Sequence, residues 1–247
     1  MQRWDIINYL IKKNNYKSYL EIGYYKGWSF DQVQCDFKTA VDPNPCKTPE
    51  QEKAIGGLED RSLCRLMHNG DHVIRFGEFI WKMTSDNFFV EISYDATYDI
   101  IFIDGLHESA QVSRDIQNAL KHLNPGGVIV MHDCNPSKYE HTTTGIDGCW
   151  TGDTYKAFIR FQEDTSCIID FPSKSVLFSD YEVYVIDTDW GIGIIKPFPE
   201  EKSRGITSLY EGKWDVETAQ KDWEYFDKNR KELLNLISVE EFLEREK

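Results

Sequence analysis

The sequence predicts an α/β fold built on a buried, mostly parallel sheet. Three observations point there. First, Tyr19-Leu20-Glu21-Ile22 is an apolar run carrying one acid, followed by Gly23 and Gly27. Such a run suits a strand buried on both faces. The glycines suit a tight turn whose backbone passes close to a ligand. With residues 27–37 read as a helix, the stretch is a nucleotide-binding βα unit whose ligand lies at the carboxyl end of the strand. Second, other short apolar runs end in polar groups: Thr39-Ala40-Val41-Asp42, Tyr98 to Asp104, and Val128-Ile129-Val130-Met131 before His132-Asp133. Third, helical spacing separates them. Val112, Ile116, Ala119, Leu120 and Leu123 recur at three- and four-residue intervals within 110–123.

The elements follow in order. Residues 4–14 form an amphipathic helix with Trp4, Ile7, Leu10 and Ile11 on one face, placed beside the sheet or over the ligand. Strands are expected at 17–22 and 39–42. Residues 43–76 read as a surface connection or substrate-side insertion, with a short helix over 48–58. Phe79–Met83 is a strand, and Thr84-Ser85-Asp86-Asn87 a turn that caps the next helix. Tyr98–Ile103 has five apolar residues in six positions and reads as a central strand. Asn124-Pro125-Gly126-Gly127 ends helix 110–123 before the strand at 128–131. A glycine- and threonine-rich loop at 145–152 holds Trp150 and leads into helix 153–164; residues 137–152 are the expected substrate lid. Residues 176–178 and 181–186 read as strand, and 191–195 as the last strand. Asp187-Thr188-Asp189-Trp190 joins the last two as a hairpin. Residues 198–213 read as loop. A long helix over 216–237 carries the stripe Ala219, Trp223, Phe226, Leu233, Leu234 and Ile237, suited to the core or to a homodimer.

Composition narrows the function. At 247 residues, the chain is expected to form one domain over 1–247: an N-terminal helix (1–15), a core (17–196) and a helical tail (214–247). No apolar run reaches the roughly 18 residues of a membrane span, and Met1–Asp5 lacks a signal-peptide pattern. Six scattered cysteines without a C-x-x-C pair read as reduced thiols, which predicts a cytoplasmic location. The formal net charge of −14 disfavours nucleic acid and favours a small-molecule substrate, with no membrane partner.

The glycine spacing bears on the cofactor. A dinucleotide fingerprint needs G-x-G-x-x-G, whereas here the pattern is E-x-G-x-x-x-G. A carboxylate at Glu21 would repel a pyrophosphate but suits a ligand with cationic groups. S-adenosylmethionine (SAM) carries an ammonium and a sulfonium. Asp42 lies 21 positions on, at the next strand's tip, placed to hold two ribose hydroxyls. Before Pro43 it is also good turn chemistry, and both readings can hold.

These residues resemble motif I of class I SAM-dependent methyltransferases. The stretch from Phe102 to Pro136, with Ile-Asp-Gly-x-His and later Leu-x-Pro-Gly-Gly-x-Ile-x-x-His-Asp, is similar to the later motifs of bacterial enzymes that methylate sugars and secondary metabolites. The resemblance covers 17–136. The tail Trp223-x-Tyr-Phe…Asn-Arg-Lys-Glu-Leu-Leu-x-Leu-Ile resembles enzymes encoded with surface-polysaccharide genes. It implies a Rossmann-like fold with a seven-stranded, mostly parallel sheet closed by an antiparallel C-terminal hairpin. It also implies SAM bound by Glu21, Gly23, Tyr24, Gly27, Asp42 and Asp104, with Ser85 and Asp86 at the adenine. Tyr24, Tyr25 or Trp28 would turn a ring to the sulfonium.

For chemistry, His107 and His132 follow strand ends that open on the crevice and are the candidate bases, with Asp104 beside them. His68, His72, His122 and His141 read as surface residues. His68 and His72 have zinc spacing, but Gly70 between them argues against the helix such a pair needs. Asp104 and Asp133 could hold Mg²⁺. The implied family carries two adjacent acids after that strand, and here His132 takes the place of one. Asp187-x-Asp189 could be a glycosyltransferase metal motif, but its late hairpin position favours a turn. The expected reaction is O-methylation of a small polar acceptor, a sugar or nucleotide sugar. The alternatives are N-methylation and a non-catalytic SAM-fold binding protein.

Overall fold

The computed structural model describes residues 1–45, 77–146, 148–171, 174–198, 205–210 and 216–247. Cys46, Cys64, His68, His72 and the helix expected at 48–58 lie outside them.

Helix α1 (Arg3–Asn14) precedes strands β1 (Ser18–Ile22), β2 (Phe37–Val41) and β3 (Gly77–Trp81). Helix α2 (Ser85–Glu91), β4 (Tyr98–Ile103), α3 (Ser109–Lys121) and β5 (Leu123–Met131) follow. Then come α4 (Tyr139–Thr143), α5 (Thr154–Asp164), β6 (Ser166–Phe171), β7 (Lys174–Ser179), β8 (Tyr181–Ile186), β9 (Ile192–Pro197) and β10 (Gly205–Tyr210). Helices α6 (Val216–Lys221) and α7 (Trp223–Leu233), strand β11 (Leu236–Ile237) and helix α8 (Val239–Arg245) close the chain.

The main sheet runs β11-β8-β9-β5-β4-β1-β2-β3, with a separate antiparallel sheet β10-β7-β6. Strands β1 to β5 pair parallel, and β9 pairs antiparallel with both β5 and β8. Ile22 stands opposite Val41 and Ile103, Ile103 opposite Met131, and Val41 opposite Trp81. The polar residues that follow these strands therefore emerge in one row, along the carboxyl edge where the strand order reverses between β1 and β4.

Alternation decides which layer each residue joins. Leu20, Ile22, Ile101, Ile103, Ile129 and Met131 face one core, with Val112, Ile116, Phe158 and Phe226 from the helices. Tyr19, Ile100, Phe102, Val128 and Val130 face the other, which α1 covers with Ile6, Ile7, Leu10 and Ile11. Each fully buried side chain of this size contributes roughly 1.5–3 kcal/mol. Glu21 shares the Tyr19 face, so its carboxyl points to the side that α1 covers.

Four expectations are corrected. The sheet has eight strands, not seven, because β11 pairs parallel with β8. Residues 27–36 form turns and irregular backbone, not a helix, and Phe37 opens β2. Two i→i+4 bonds form, from the Asp31 N–H to the Gly27 carbonyl and from the Val33 N–H to that of Ser29, and the ladder then stops. The Asn8 amide donates to the Gln32 carbonyl, its oxygen accepts from the Gln34 N–H, and Lys38 Nζ donates to the Phe30 carbonyl. The helix expected at 216–237 is broken. The Asp222 carboxylate caps α7 by accepting from the Glu224 and Tyr225 N–H groups, Asn235 turns left-handed (φ 45°), and Ser238 with Glu241 caps α8. Residues 205–210 within the expected loop are strand.

Ala219, Phe226, Leu233 and Leu234 of the apolar stripe are buried in the chain's own core. No described helix is long and apolar enough to cross a membrane.

Candidate cofactor and active site

A cleft of about 740 Å³ opens along the carboxyl edge of the sheet. Glu21, Gly23, Tyr24, Asp42, Ser85, Asp104, His107, His132 and Asp133 line it. Gly27 and Asp86 are not among the lining residues.

The cleft floor depends on Gly23. Its φ of +99° lies in the left-handed region, and a Cβ there would fall 2.0 Å from the Asp104 carbonyl oxygen. The turn therefore packs directly on the tip of β4, and only glycine fits. The Gly23 N–H donates to the Val41 carbonyl, and the Asp104 N–H to that of Ile22. These bonds bring Glu21, Asp42 and Asp104 to one end of the cleft. Both Asp42 oxygens accept backbone bonds, Oδ2 from the Tyr25 N–H at 2.7 Å and Oδ1 from the Asn44 N–H at 2.7 Å. Asp42 thus shapes the turn while keeping spare lone pairs.

Glu21 is buried and accepts from the Tyr19 hydroxyl. Burial pushes its carboxyl up to about 8, against the opposing pull of that hydrogen bond. A cation brought into the cleft would therefore favour ionised Glu21. Among the donors and acceptors present, the two acids at Glu21 and Asp42 fit the cationic and ribose parts of SAM.

Asp104 also belongs to a tight ionic cluster with His107, His132 and Asp133. Asp104 Oδ1 lies 3.3 Å from His107 Nε2 and 3.3 Å from His132 Nδ1. Asp133 reaches both rings as well, at 3.2 Å from His107 Nδ1 and 3.2 Å from His132 Nδ1. Burial alone would raise the Asp104 carboxyl, but His132 and His107 hold it well below the usual carboxylate range. Burial alone would lower His107; its bond to Asp104 and the charge of Asp133 raise it to about 9. His132 is likewise held above its ordinary range by Asp104 and Asp133. Arg3 Nη1 pushes the other way at the far nitrogen, His132 Nε2, 3.1 Å away, because a guanidinium has only donors to offer.

Arg3 was invisible as a site residue in the sequence. It stands at the start of α1, donates from Nε to Ser29 Oγ at 2.8 Å, and lies 3.7 Å from Asp104 Oδ2. Its backbone N–H and Nη1 both reach Asp189 Oδ2, at 2.8 and 3.0 Å. Asp189 is thus a site residue, although its hairpin position suggested a remote turn. Burial would raise its carboxyl, yet the bond and charge of His132 bring it down to about 2. Asp189 and Trp190 both have positive φ, at 45° and 65°, and Trp190 lines the cleft. Asp tolerates this region, whereas a bulky Trp there is strained, as residues beside functional clefts often are.

The loop before α5 covers His107. The Trp150 carbonyl lies 2.8 Å from His107 Nδ1, and the two rings sit 5.4 Å apart. At Gly152 a Cβ would fall 1.9 Å from the His107 carbonyl oxygen. Tyr25 and Trp28 are exposed at the mouth, edge to face at 5.5 Å. Of the histidines read as surface residues, His122 and His141 are in fact buried, His122 against the Ala96 carbonyl and His141 against the Trp190 ring.

Residues 20–134 match the family described as methyltransferase domain. A comparison with curated proteins finds no match. Among solved structures, the SAM complex of the O-methyltransferase TomG from Streptomyces achromogenes is similar at 14% identity and a TM-score of 0.48, over 79% of this chain and 79% of that one. A SAH-bound methyltransferase from Podospora anserina is similar at 15% identity and 0.46, over 79% and 78%. An O-methyltransferase from Bacillus cereus in complex with SAH is similar at 15% and 0.44, over 78% and 80%. Residues 20–134 are thus similar to a methyltransferase domain, in keeping with the strand-end glycine turn and its two acids.

Proposed function

We propose that the chain methylates a hydroxyl of a small polar acceptor, a sugar or nucleotide sugar. The observation that carries the reading is the cluster Asp104–His107–His132–Asp133 in the cleft. A hydroxyl is a poor nucleophile while protonated, and a positioned base is worth about 10²–10⁴ in rate. An amine that is already neutral needs no such base, so the cluster favours oxygen over a nitrogen of that kind. The exposed rings of Tyr25, Trp28 and Trp150 suit the apolar faces of a sugar. The tail's resemblance to polysaccharide enzymes supports the same acceptor class.

The cofactor, when bound, supplies an electrophilic methyl on a positively charged sulfur. The chain's work is to align the acceptor oxygen within about 3–3.5 Å of it and to take the hydroxyl proton. We assign that proton to His107. Its raised affinity for a proton means that it is charged in the free protein. It gives that proton up more readily when a second positive charge shares Asp104. Residues 137–152, which already press Trp150 on His107, are the lid that excludes water in this reading.

Mg²⁺ is the alternative to that base. Asp104, His107 and Asp133 each offer one ligand atom, all within 4.8 Å of one another. Two carboxylates and an imidazole suit a divalent cation, which would then lower the pKa of a bound hydroxyl and orient it in place of the free His107 base.

The test is SAH production from SAM with a panel of nucleotide sugars, with and without Mg²⁺. Turnover with a hydroxylated acceptor should fall about 10²–10⁴-fold in His107→Gln. Turnover confined to amine acceptors, or untouched by that change, would overturn the reading. Cofactor affinity should also depend on pH. Glu21 is protonated in the free protein below about 8 and must ionise to pair with a cationic ligand. Affinity for SAM should drop by up to about tenfold per pH unit below that value, level off above it, and lose the dependence in Glu21→Gln.

A further inference from the structure

The adenine end of the cleft has one polar group that the sequence did not single out. Gln111 lines it beside Thr84 and Ser85. Gln111 comes from α3, and its Nε2 has three acceptors close by: Asp115 Oδ1 at 3.0 Å, Asp86 Oδ1 at 3.1 Å and Ser85 Oγ at 3.2 Å. An amide nitrogen has two hydrogens, so three acceptors compete for them. On its other side, Gln111 Oε1 accepts from Arg114 Nη2. Arg114 Nε also lies 3.4 Å from Asp86 Oδ2. The carboxylate of Asp86 is thus turned toward Gln111 and Arg114, away from the cleft wall.

Asp115 is fully buried, one turn along α3 from Gln111. Its Oδ2 is buried without a hydrogen-bond partner. Burial pushes this carboxyl up to about 6, against the pull of its bonds to Ser85 and Gln111. A buried, half-satisfied acid is costly to keep, and its contacts here are to Ser85 and to the amide that reaches the cleft.

We propose that Gln111 reads the adenine of the cofactor through its carboxamide, and that Asp115 is the positioning residue that fixes which way the amide faces. The inference rests on the cofactor assignment made above. Adenine presents the N6 amine beside a ring-nitrogen acceptor. A carboxamide matches that pair with one acceptor and one donor, whereas a carboxylate such as Asp86 can meet only the amine. Free to flip, an amide would match hypoxanthine equally well, because oxygen replaces the amine and the ring nitrogen carries a hydrogen. Here it is not free. Asp115 accepts only from the nitrogen end, and Arg114 donates only to the oxygen end. The remaining Oε1 lone pair and the remaining N–H are left for the base, with Ser85 and Asp86 sharing that N–H when no base is present.

The experiment is calorimetric titration of the full chain with SAH and with its deaminated analogue, S-inosylhomocysteine. The wild type should prefer SAH by about tenfold to a hundredfold. Gln111→Leu should weaken SAH by a similar factor and bring the two affinities together. Asp115→Asn, nearly the same shape, offers a donor where the acid offered only acceptors, so the amide can turn over and the preference should collapse. A purely structural role for either residue would weaken both ligands alike and leave their ratio as in the wild type. SAH binding with the wild-type preference kept in Gln111→Leu overturns this inference alone. A wild type that binds neither ligand overturns the cofactor assignment and the inference with it.

Discussion

Asp104→Asn is expected to abolish measurable methyl transfer, with a loss of about a thousandfold or more, and to lower the melting temperature of the free protein. One carboxylate serves three cationic partners: His107 and His132 on Oδ1, Arg3 on Oδ2. An amide in its place turns an N–H toward groups that already donate. Breaking a buried charged network by removing one partner costs about 3–5 kcal/mol. In a chain of this size each kcal/mol moves the midpoint by about 2–4 °C, so a fall of about 6–20 °C is expected. The pH dependence should change too. His107 has its folded-state value raised from 6.5 to about 9. Its contribution to stability is complete below pH 6.5 and is lost as pH rises through about 9. In the wild type, melting temperature should decline over that window, and in Asp104→Asn the decline should flatten. Melting curves from pH 6 to 10 decide this without any acceptor. An unchanged midpoint and slope would mean that the three cations do not depend on Asp104.

Asp42→Ala should lower SAH affinity by about 10²–10⁴-fold. Two ribose hydroxyls donating to a charged acceptor are worth about 1.5–3 kcal/mol each. Both oxygens of Asp42 already accept one backbone N–H, from Tyr25 and from Asn44, and each retains a lone pair on the cleft side. Asp42→Asn keeps one oxygen, loses the charge and one of the two backbone bonds, and should fall between wild type and alanine. Titration with SAH measures all three. Wild-type affinity in Asp42→Ala would defeat the assignment of this acid to the cofactor.

The parts legible in the sequence are those where burial and chemistry coincide at one residue. A parallel strand covered on both faces must be apolar along its length, so the first polar residue after it marks the sheet's edge. Asp42, Asp104 and His132 were found in that way. The segment 27–37 was misread because its spacing is helical, yet after two helical bonds at its start Asn8 and Lys38 take the next backbone groups from elsewhere. The tail was misread because an apolar stripe continues through its breaks, and only the caps at Asp222 and Ser238 reveal where each helix restarts.

The sequence by itself determined the sheet, the glycine turn and the row of acids and histidines at its edge, because those follow from local pattern and strand register. Only the tertiary structure decided what that row touches. Arg3 and Asp189 stand 186 positions apart and meet over His132, because α1 folds back on the face where the β8–β9 turn ends. No local pattern records such a contact. The protonation of Glu21 and His107 was likewise out of reach, since it depends on how much water the packed layers exclude and on which charges they bring together.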